Sequence, residues 1–290
     1  MTKKILLTGA TGFVGRQVAK ALSSADVELT FITRKEGGNP IIDLGVPYRV
    51  IETDDLFSEK EEWWKNACSD IDILIHLAWH TTQPNIELTS ASNIKCLQGS
   101  LELVKGAINA GIRRFVGIGT CFEYDMKMEG VGKGGILSTD TPLKPLTPYA
   151  DAKAALFMSL SHWLPMRSVE FAWCRLFYLY GEGEDPRRLV GYLRLQMEKS
   201  KPAILTNGEQ IRDFLDVADA GQIIAKVALS GQNGPVNICS GIPITVRQLS
   251  EKIADEYGRR DLLLFGARPD NLVDPPCILG IPGQAKVTDS

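Results

Sequence analysis

The chain has 290 residues, enough for one large domain or two closely packed ones with a substantial buried core. Its 44% hydrophobic and 23% charged residues are ordinary for a globular protein. A net charge of −3, with scattered Lys and Arg, argues against a nucleic-acid or anionic-membrane partner. Six cysteines form no C-x-x-C pair and no zinc-type cluster, so reduced thiols, a cytoplasmic location and no metal are expected. The basic start at Lys3-Lys4 precedes only three apolar residues, too few for a secretory leader, and no stretch reaches membrane-spanning length.

The first half alternates short apolar runs with helical patterns. Ile5-Leu6-Leu7 reads as a buried strand, and Phe13 to Ser23 as the helix behind it. Strands are predicted at Val27–Thr33, Tyr48–Glu52 and Ile71–Leu77. A long amphipathic helix from Asn93 to Ala110 ends at Gly111, a natural stop. Arg114–Ile118 and Val169–Leu176 give two more strands, with a helix over Tyr149–Leu164 between them. Strands separated by helices imply a parallel sheet covered on both faces. After Gly181 the rhythm becomes irregular, with helices at Leu189–Lys199, Val217–Ser230 and Val246–Tyr257. The expected organisation is a sheet-based first domain over 1–180, with 211–235 returning to it. A smaller lobe takes 181–210 and 236–290. Gly130 to Pro148, rich in Gly, Thr and Pro, reads as a long surface loop placed to act as a lid.

Gly9-Ala10-Thr11-Gly12-Phe13-Val14-Gly15 lies directly after the first strand and opens a helix. There, glycines allow a tight turn, and the helix N-terminus offers N–H donors to a pyrophosphate. This points to a Rossmann domain holding a nicotinamide cofactor. The second strand ends in Arg34-Lys35, with no acid until Glu36. Arg34 is therefore expected on the 2′-phosphate of NADP; NAD remains possible if Arg34 and Lys35 form only a solvated loop. Asp55 and Leu56, after the third strand, are placed to meet the adenine.

Tyr149 and Lys153 fall at i and i+4, one turn apart on one helix face. The preceding strand carries Gly119-Thr120 at its end. A lysine cation lowers the acidity threshold of a nearby phenol, making it a usable proton donor, and Thr120 can bond the same substrate oxygen.

Taken together, these motifs resemble the extended short-chain dehydrogenase/reductase superfamily, in its nucleotide-sugar epimerase/dehydratase/reductase branch. The stretches that carry the resemblance span nearly the whole chain. They are Thr8 to Gly15, His76-Leu77-Ala78, Asn93, Tyr149-x-x-x-Lys153, Arg175 to Gly181, and Arg212 to Asp219. The resemblance implies an α/β fold, a Rossmann doubly wound parallel sheet with a smaller C-terminal α/β substrate-binding lobe. It implies Tyr149 as general acid/base, with Lys153 on the nicotinamide ribose and Thr120 in the family's Ser/Thr position. Leu77, Ala78, Trp79, Asn93, Phe177 and Tyr178 would line the cofactor. Arg212 would meet the substrate's diphosphate, unless it pairs with Asp213 or Asp216. Arg268 would be a second nucleotide contact or a plain surface arginine.

The expected substrate is a nucleoside-diphosphate sugar, bounded further by His80, Cys121, Phe122 and Glu123. Family dehydratases resemble T-D-E after the fifth strand; here Cys121 and Phe122 replace the two acids. A 4,6-dehydratase is therefore disfavoured, and Cys121 reads as structural. Glu123 fits either a sugar hydroxyl or an anchor for the long loop. An NADPH-dependent ketosugar reductase is expected, with a 4-epimerase as the alternative and an idle dinucleotide-binding or redox-sensing protein behind both. The resemblance also allows a homodimer formed through the helices at Asn93 and Tyr149.

Overall fold

The computed structural model describes residues 2–35, 43–81, 86–126, 135–269 and 275–283. Five parallel strands occupy the first half: β1 (Lys3–Thr8), β2 (Val27–Arg34), β3 (Tyr48–Thr53), β4 (Ile73–His76) and β5 (Arg114–Thr120). Between them lie α1 (Phe13–Leu22), α2 (Glu61–Ala67), α3 (Ile86–Thr89) and α4 (Ser92–Ala110). Gly111 caps α4 at a φ of 88°, in the left-handed region that glycine adopts without a Cβ penalty. The periodicity did not reveal α2. Only Trp64 and Ala67 of its seven residues are buried, too few to write a stripe.

A 3-10 turn (Cys121–Glu123) follows β5. Then come β6 (Ile136–Leu137), α5 (Pro148–Trp163), β7 (Glu170–Leu176), β8 (Tyr178–Tyr180), α6 (Leu189–Glu198) and β9 (Ala203–Ile204). The chain ends with β10 (Ile211–Asp216), α7 (Val217–Leu229), β11 (Gly234–Ile238), β12 (Pro243–Thr245), α8 (Val246–Glu256), β13 (Leu263–Leu264) and β14 (Cys277–Gly280).

The main sheet runs β11-β7-β5-β4-β1-β2-β3. The chain builds outward from β1 to β3, then returns to β4 and builds the other way. This is the expected Rossmann doubly wound sheet, and its order reverses between β1 and β4, where the strand ends leave a crevice. Alternate residues feed opposite faces. Ile5 and Leu7 join the core beneath α1 and α7, while Leu6 joins the one beneath α2, α4 and α5.

A second sheet, β12-β10-β14-β6 with β8 beside β10, lies after the switch in rhythm. α6 and α8 pack their buried faces together in a separate core. The seam beside the second sheet holds Cys121, Tyr124, Leu137, Phe177, Cys239 and Ile278. The return to the main sheet is made by β11, whereas β10 belongs to the second sheet. The stretch 130–148 is not wholly loop: β6 pairs with β14. Residues 130–134 of that region lie outside the described ones. No described helix is long and apolar enough to cross a membrane.

Candidate active site

The carboxyl ends of β1, β4 and β5 meet at the crevice. Behind β1, Gly9 has a φ of 76°, and a Cβ there would lie 2.8 Å from the Ala78 nitrogen. A Cβ on Gly15 would stand 1.9 Å from the Gly9 carbonyl oxygen. Both glycines are needed for backbone to pack on backbone. Gly12 is different: a Cβ there meets only the Gly9 oxygen, at 3.3 Å. Gly12 heads α1, where no side chain caps the first turn and no acid opposes an anion. An uncapped helix start behind a glycine turn fits a pyrophosphate, with the N–H groups near Phe13, Val14 and Gly15 as donors. Thr11 sits half-buried in the loop, its carbonyl accepting Arg16 Nε at 3.0 Å.

Arg34 is exposed at the end of β2. Its neighbour Lys35 is drawn to Asp54 at 3.3 Å. Glu36 lies outside the described residues. Asp55 is paired with Lys95 and accepts Phe57 N at 3.0 Å and Ser58 Oγ at 2.8 Å. Burial pushes its carboxyl up, but these bonds prevail and hold it below its ordinary value. Leu56 packs with Phe57, Ala78, Trp79 and Cys96 beside it.

A buried hydrogen-bond chain fixes the end of β4. Ser100 Oγ donates to the Cys96 carbonyl at 2.7 Å, so it must accept from His76 Nε2 at 2.8 Å. His76 Nδ1 is then an acceptor, and Thr8 Oγ1 donates to it at 2.8 Å. Thr8 Oγ1 in turn accepts the Ala78 N–H at 3.3 Å. Burial, with the charge of Lys153 nearby, pushes His76 down to about 3, so it stays neutral. The result locks Ala78 against Gly9.

Thr120 ends β5 and caps the 3-10 turn. Its Oγ1 accepts Phe122 N at 3.3 Å, and Glu123 reaches back to Thr120 N at 2.8 Å, a reciprocal capping box. Thr147 caps α5, with Pro148 in its first turn, and so aims Tyr149 and Lys153 at the crevice. Tyr149 is half-buried, its ring 6.5 Å from Trp79. Lys153 is buried, donates to the Ile118 carbonyl at 2.7 Å, and lies 3.8 Å from the Trp79 centroid. Burial lowers Lys153 to about 7, with Glu123 acting the other way. A buried lysine one turn from a phenol, at a strand-end crevice, is an arrangement for proton transfer.

On the second-sheet side, Tyr178 stands edge-on to Phe122 at 6.2 Å, with Arg212 5.5 Å over its ring. Arg212 is 4% exposed, and its Nη1 donates to the Ile211 carbonyl at 2.8 Å. Asp213 accepts Ser240 N and Oγ, Gly241 N and Gly280 N, while Asp216 caps α7. His80 is half-buried, 5.0 Å from the Phe57 ring. Arg268 is exposed.

Four sequence expectations need correcting. Glu123 is fully buried and binds Trp173 and Arg175, so it touches neither a sugar hydroxyl nor solvent; only its backbone holds the loop, through Lys144 N at 3.0 Å. Cys121 is 2% exposed, its thiol pushed up to about 12 by burial, and it packs in the seam; this agrees with its reading as structural and not with a place against substrate. Asn93 is fully buried, accepting Trp79 Nε1 at 2.8 Å and donating to the Ser90 carbonyl at 2.9 Å; it acts through Trp79. Phe177 is likewise buried in the seam. The sequence reading missed the role of Trp173, although Phe171, Trp173 and Arg175 alternate along β7 and so share a face.

A model of the NAD dependent epimerase/dehydratase family matches residues 5–239. The chain belongs to that family. The matched span begins in β1 and ends just past β11, so it takes in every strand of the main sheet. This family member is 23% identical to the dTDP-6-deoxy-L-talose 4-dehydrogenase (NAD(+)) of Aggregatibacter actinomycetemcomitans, over 95% of this chain and 98% of the relative. It is 27% identical to the GDP-6-deoxy-D-mannose reductase of Pseudomonas aeruginosa, over 88% of this chain and 80% of the relative. Among solved structures, a UDP-N-acetylglucosamine 4-epimerase from Methanobrevibacter ruminantium superposes with a TM-score of 0.82 at 21% identity, covering 97% of this chain and 90% of the other. The dTDP-glucose 4,6-dehydratase DesIV from Streptomyces venezuelae gives 0.80 at 19%, covering 96% and 88%. At those identities the superpositions establish the fold.

Proposed function

We propose that this family member reduces a keto group, at C4, of a nucleoside-diphosphate (6-deoxy)sugar with NADPH. The observation that carries the reading is the meeting of Thr120, Tyr149 and Lys153 at the crevice, followed by a turn with no acid able to drive water loss. Cys121 and Glu123 of that turn are buried and Phe122 does not titrate. A dehydratase needs acid/base groups there; a reductase needs only the phenol. The two relatives named as a 4-dehydrogenase and a reductase support the same chemistry.

A bound reduced nicotinamide supplies hydride to the ketone carbon. Tyr149 delivers a proton to the ketone oxygen, and Thr120 donates a hydrogen bond to that oxygen. Lys153 holds positive charge beside the phenol and the cofactor ribose. Arg34 takes the 2′-phosphate, and Arg212 takes the diphosphate of the sugar nucleotide. Exposed Ile94 on α4 and Met158 on α5 support pairing of two copies through those helices.

The test is consumption of NADPH beside NADH against a panel of nucleotide 4-keto-6-deoxysugars. Stoichiometric loss of NADPH is expected with one of them. A changed sugar stereochemistry by NMR without net consumption would make the protein an epimerase. No reaction of either kind would leave it a dinucleotide-binding module.

A further inference from the structure

The Glu123 carboxylate is fully enclosed beneath the crevice, and its four hydrogen bonds converge from two strands. Oε1 accepts Thr120 N at 2.8 Å and Trp173 Nε1 at 3.1 Å. Oε2 accepts the same indole at 3.1 Å and Arg175 Nε at 2.7 Å. The Arg175 guanidinium continues outward, donating through Nη1 to Tyr124 Oη at 3.2 Å. Tyr124 Oη donates to Asn237 Oδ1 at 2.6 Å, and Asn237 Nδ2 closes on the Leu137 and Ile281 carbonyls. Room for the indole comes from β5: a Cβ on Gly117 or Gly119 would lie 2.3 or 2.2 Å from the Trp173 ring. Five positions, Gly117, Gly119, Trp173, Arg175 and Asn237, thus serve the seating of one carboxylate.

We infer that Glu123 is a positioning residue for the proposed reaction: it fixes Thr120 at the end of β5 and supplies the negative charge that balances Lys153. The inference rests on the reductase reading for its kinetic arm. Glu123 is 0% exposed and Arg175 1%, and Lys153 is buried beside them. Glu123 is paired with Arg175 and its charge also reaches buried Lys153, and a buried charge is tolerated only when compensated. Glu123 favours the charged form of Lys153 against its desolvation. The groups facing this pair are Arg175 from β7, Cys121 and Tyr124 from the turn itself, Tyr149 from α5, Cys96 from α4 and His76 from β4, with Arg212 and Asp213 of β10 beyond Cys121. Arg175, Arg212 and Lys153 are the cations among them. The same carboxylate that pairs Arg175 also closes the capping box on the Thr120 nitrogen, so the ion pair and the end of β5 are tied through one group.

Glu123→Gln keeps the shape and removes the charge; one carboxylate acceptor becomes an NH2 facing N–H donors. Glu123→Asp keeps the charge and withdraws the carboxylate from Thr120 N by one methylene. Two readouts are taken on the full-length protein. One is the titration of Lys153 followed by NMR of Cε-labelled lysine, which needs no substrate. The other is the pH profile of kcat on whichever ketosugar the wild type reduces. In Glu123→Gln the Lys153 midpoint is expected to fall by half a unit or more, and the alkaline limb of kcat to move with it. Its kcat should fall at least tenfold with the sugar KM within twofold. In Glu123→Asp the Lys153 midpoint should stay near wild type while kcat drops severalfold. A Glu123→Gln enzyme with reduced Tm but unmoved Lys153 titration and pH limb would reduce the network to a structural ion pair and overturn the inference. If that variant does not fold, Glu123→Asp decides: wild-type kcat overturns the positioning role, and a severalfold loss with an unmoved Lys153 supports it. A wild type that reduces no ketosugar defeats the reductase reading, and the Lys153 titration still tests the charge relation.

Discussion

The Lys153 ammonium lies 3.8 Å from the centroid of the Trp79 ring, and Trp79 is itself held by Asn93 through a 2.8 Å hydrogen bond. A desolvated cation over an indole face gains about 1–2 kcal/mol. The ring therefore favours the charged lysine against the burial that pulls it down to about 7. Trp79→Leu should make Lys153 easier to deprotonate and move the alkaline limb of the pH–rate profile to lower pH. kcat/KM at pH 8 should fall about five- to thirtyfold, the rate equivalent of that energy. Trp79→Phe, with a weaker ring, should fall between. An unchanged profile in the leucine variant would remove the ring from the site's electrostatics.

Tyr149 is half-buried beside that same ring and starts the helix that carries Lys153. If its phenol is the proton donor, Tyr149→Phe removes the transferred proton and little else. Turnover should fall by about two to four orders of magnitude, the range assigned to a positioned acid or base. Cofactor affinity, followed by fluorescence titration, should stay within about threefold, because the proposed ribose contact is assigned to Lys153. Normal turnover in this variant would sink the assignment.

How much of this was legible in the sequence depends on how local each signal is. The glycine loop, Thr120 and the Tyr149–Lys153 pair are read over a few residues at the ends of strongly patterned elements, and all of them converge at the crevice. The β1–β5 order followed from alternation of apolar runs. What escaped is non-local. β6 is two residues long and exists only because β14 pairs with it. The fate of Glu123 turns on the register of β5 against β7, which sets Gly117 opposite Trp173 and Gly119 opposite Arg175. A glutamate one residue before a tyrosine reads as polar and available until that register encloses it. Asn93 was misjudged for the same reason: its amide faces Trp79 only after α4 docks on the sheet.

Arg34 is exposed at the end of β2 while Lys35 turns to Asp54. A guanidinium on a phosphate makes charge-assisted bonds of about 1.5–3 kcal/mol. Arg34→Ala should therefore lower kcat/KM for NADPH about tenfold to a hundredfold and leave NADH within about twofold. Arg34→Glu should go further and favour NADH, since a carboxylate repels the 2′-phosphate and accepts from ribose hydroxyls. Equal losses for both cofactors would show that Arg34 does not read the phosphate.

His76 offers a test of the fold itself. Its folded value is held near 3 by burial and by Lys153, against 6.5 for the free side chain. The native state keeps it neutral, so the unfolded chain binds the extra proton. This contribution is fully present above about pH 6.5 and is lost as pH falls from there toward 3. The slope is at most about 1.4 kcal/mol per pH unit for one group. Urea unfolding between pH 7 and pH 5 samples that window before most carboxylates titrate. His76→Gln should be less stable at pH 7 by about 1–3 kcal/mol, since the bonds to Thr8 and Ser100 are disturbed. Its stability should nevertheless change less between pH 7 and pH 5 than that of the wild type. A variant with the wild-type slope would mean that His76 is not the group coupling protons to unfolding.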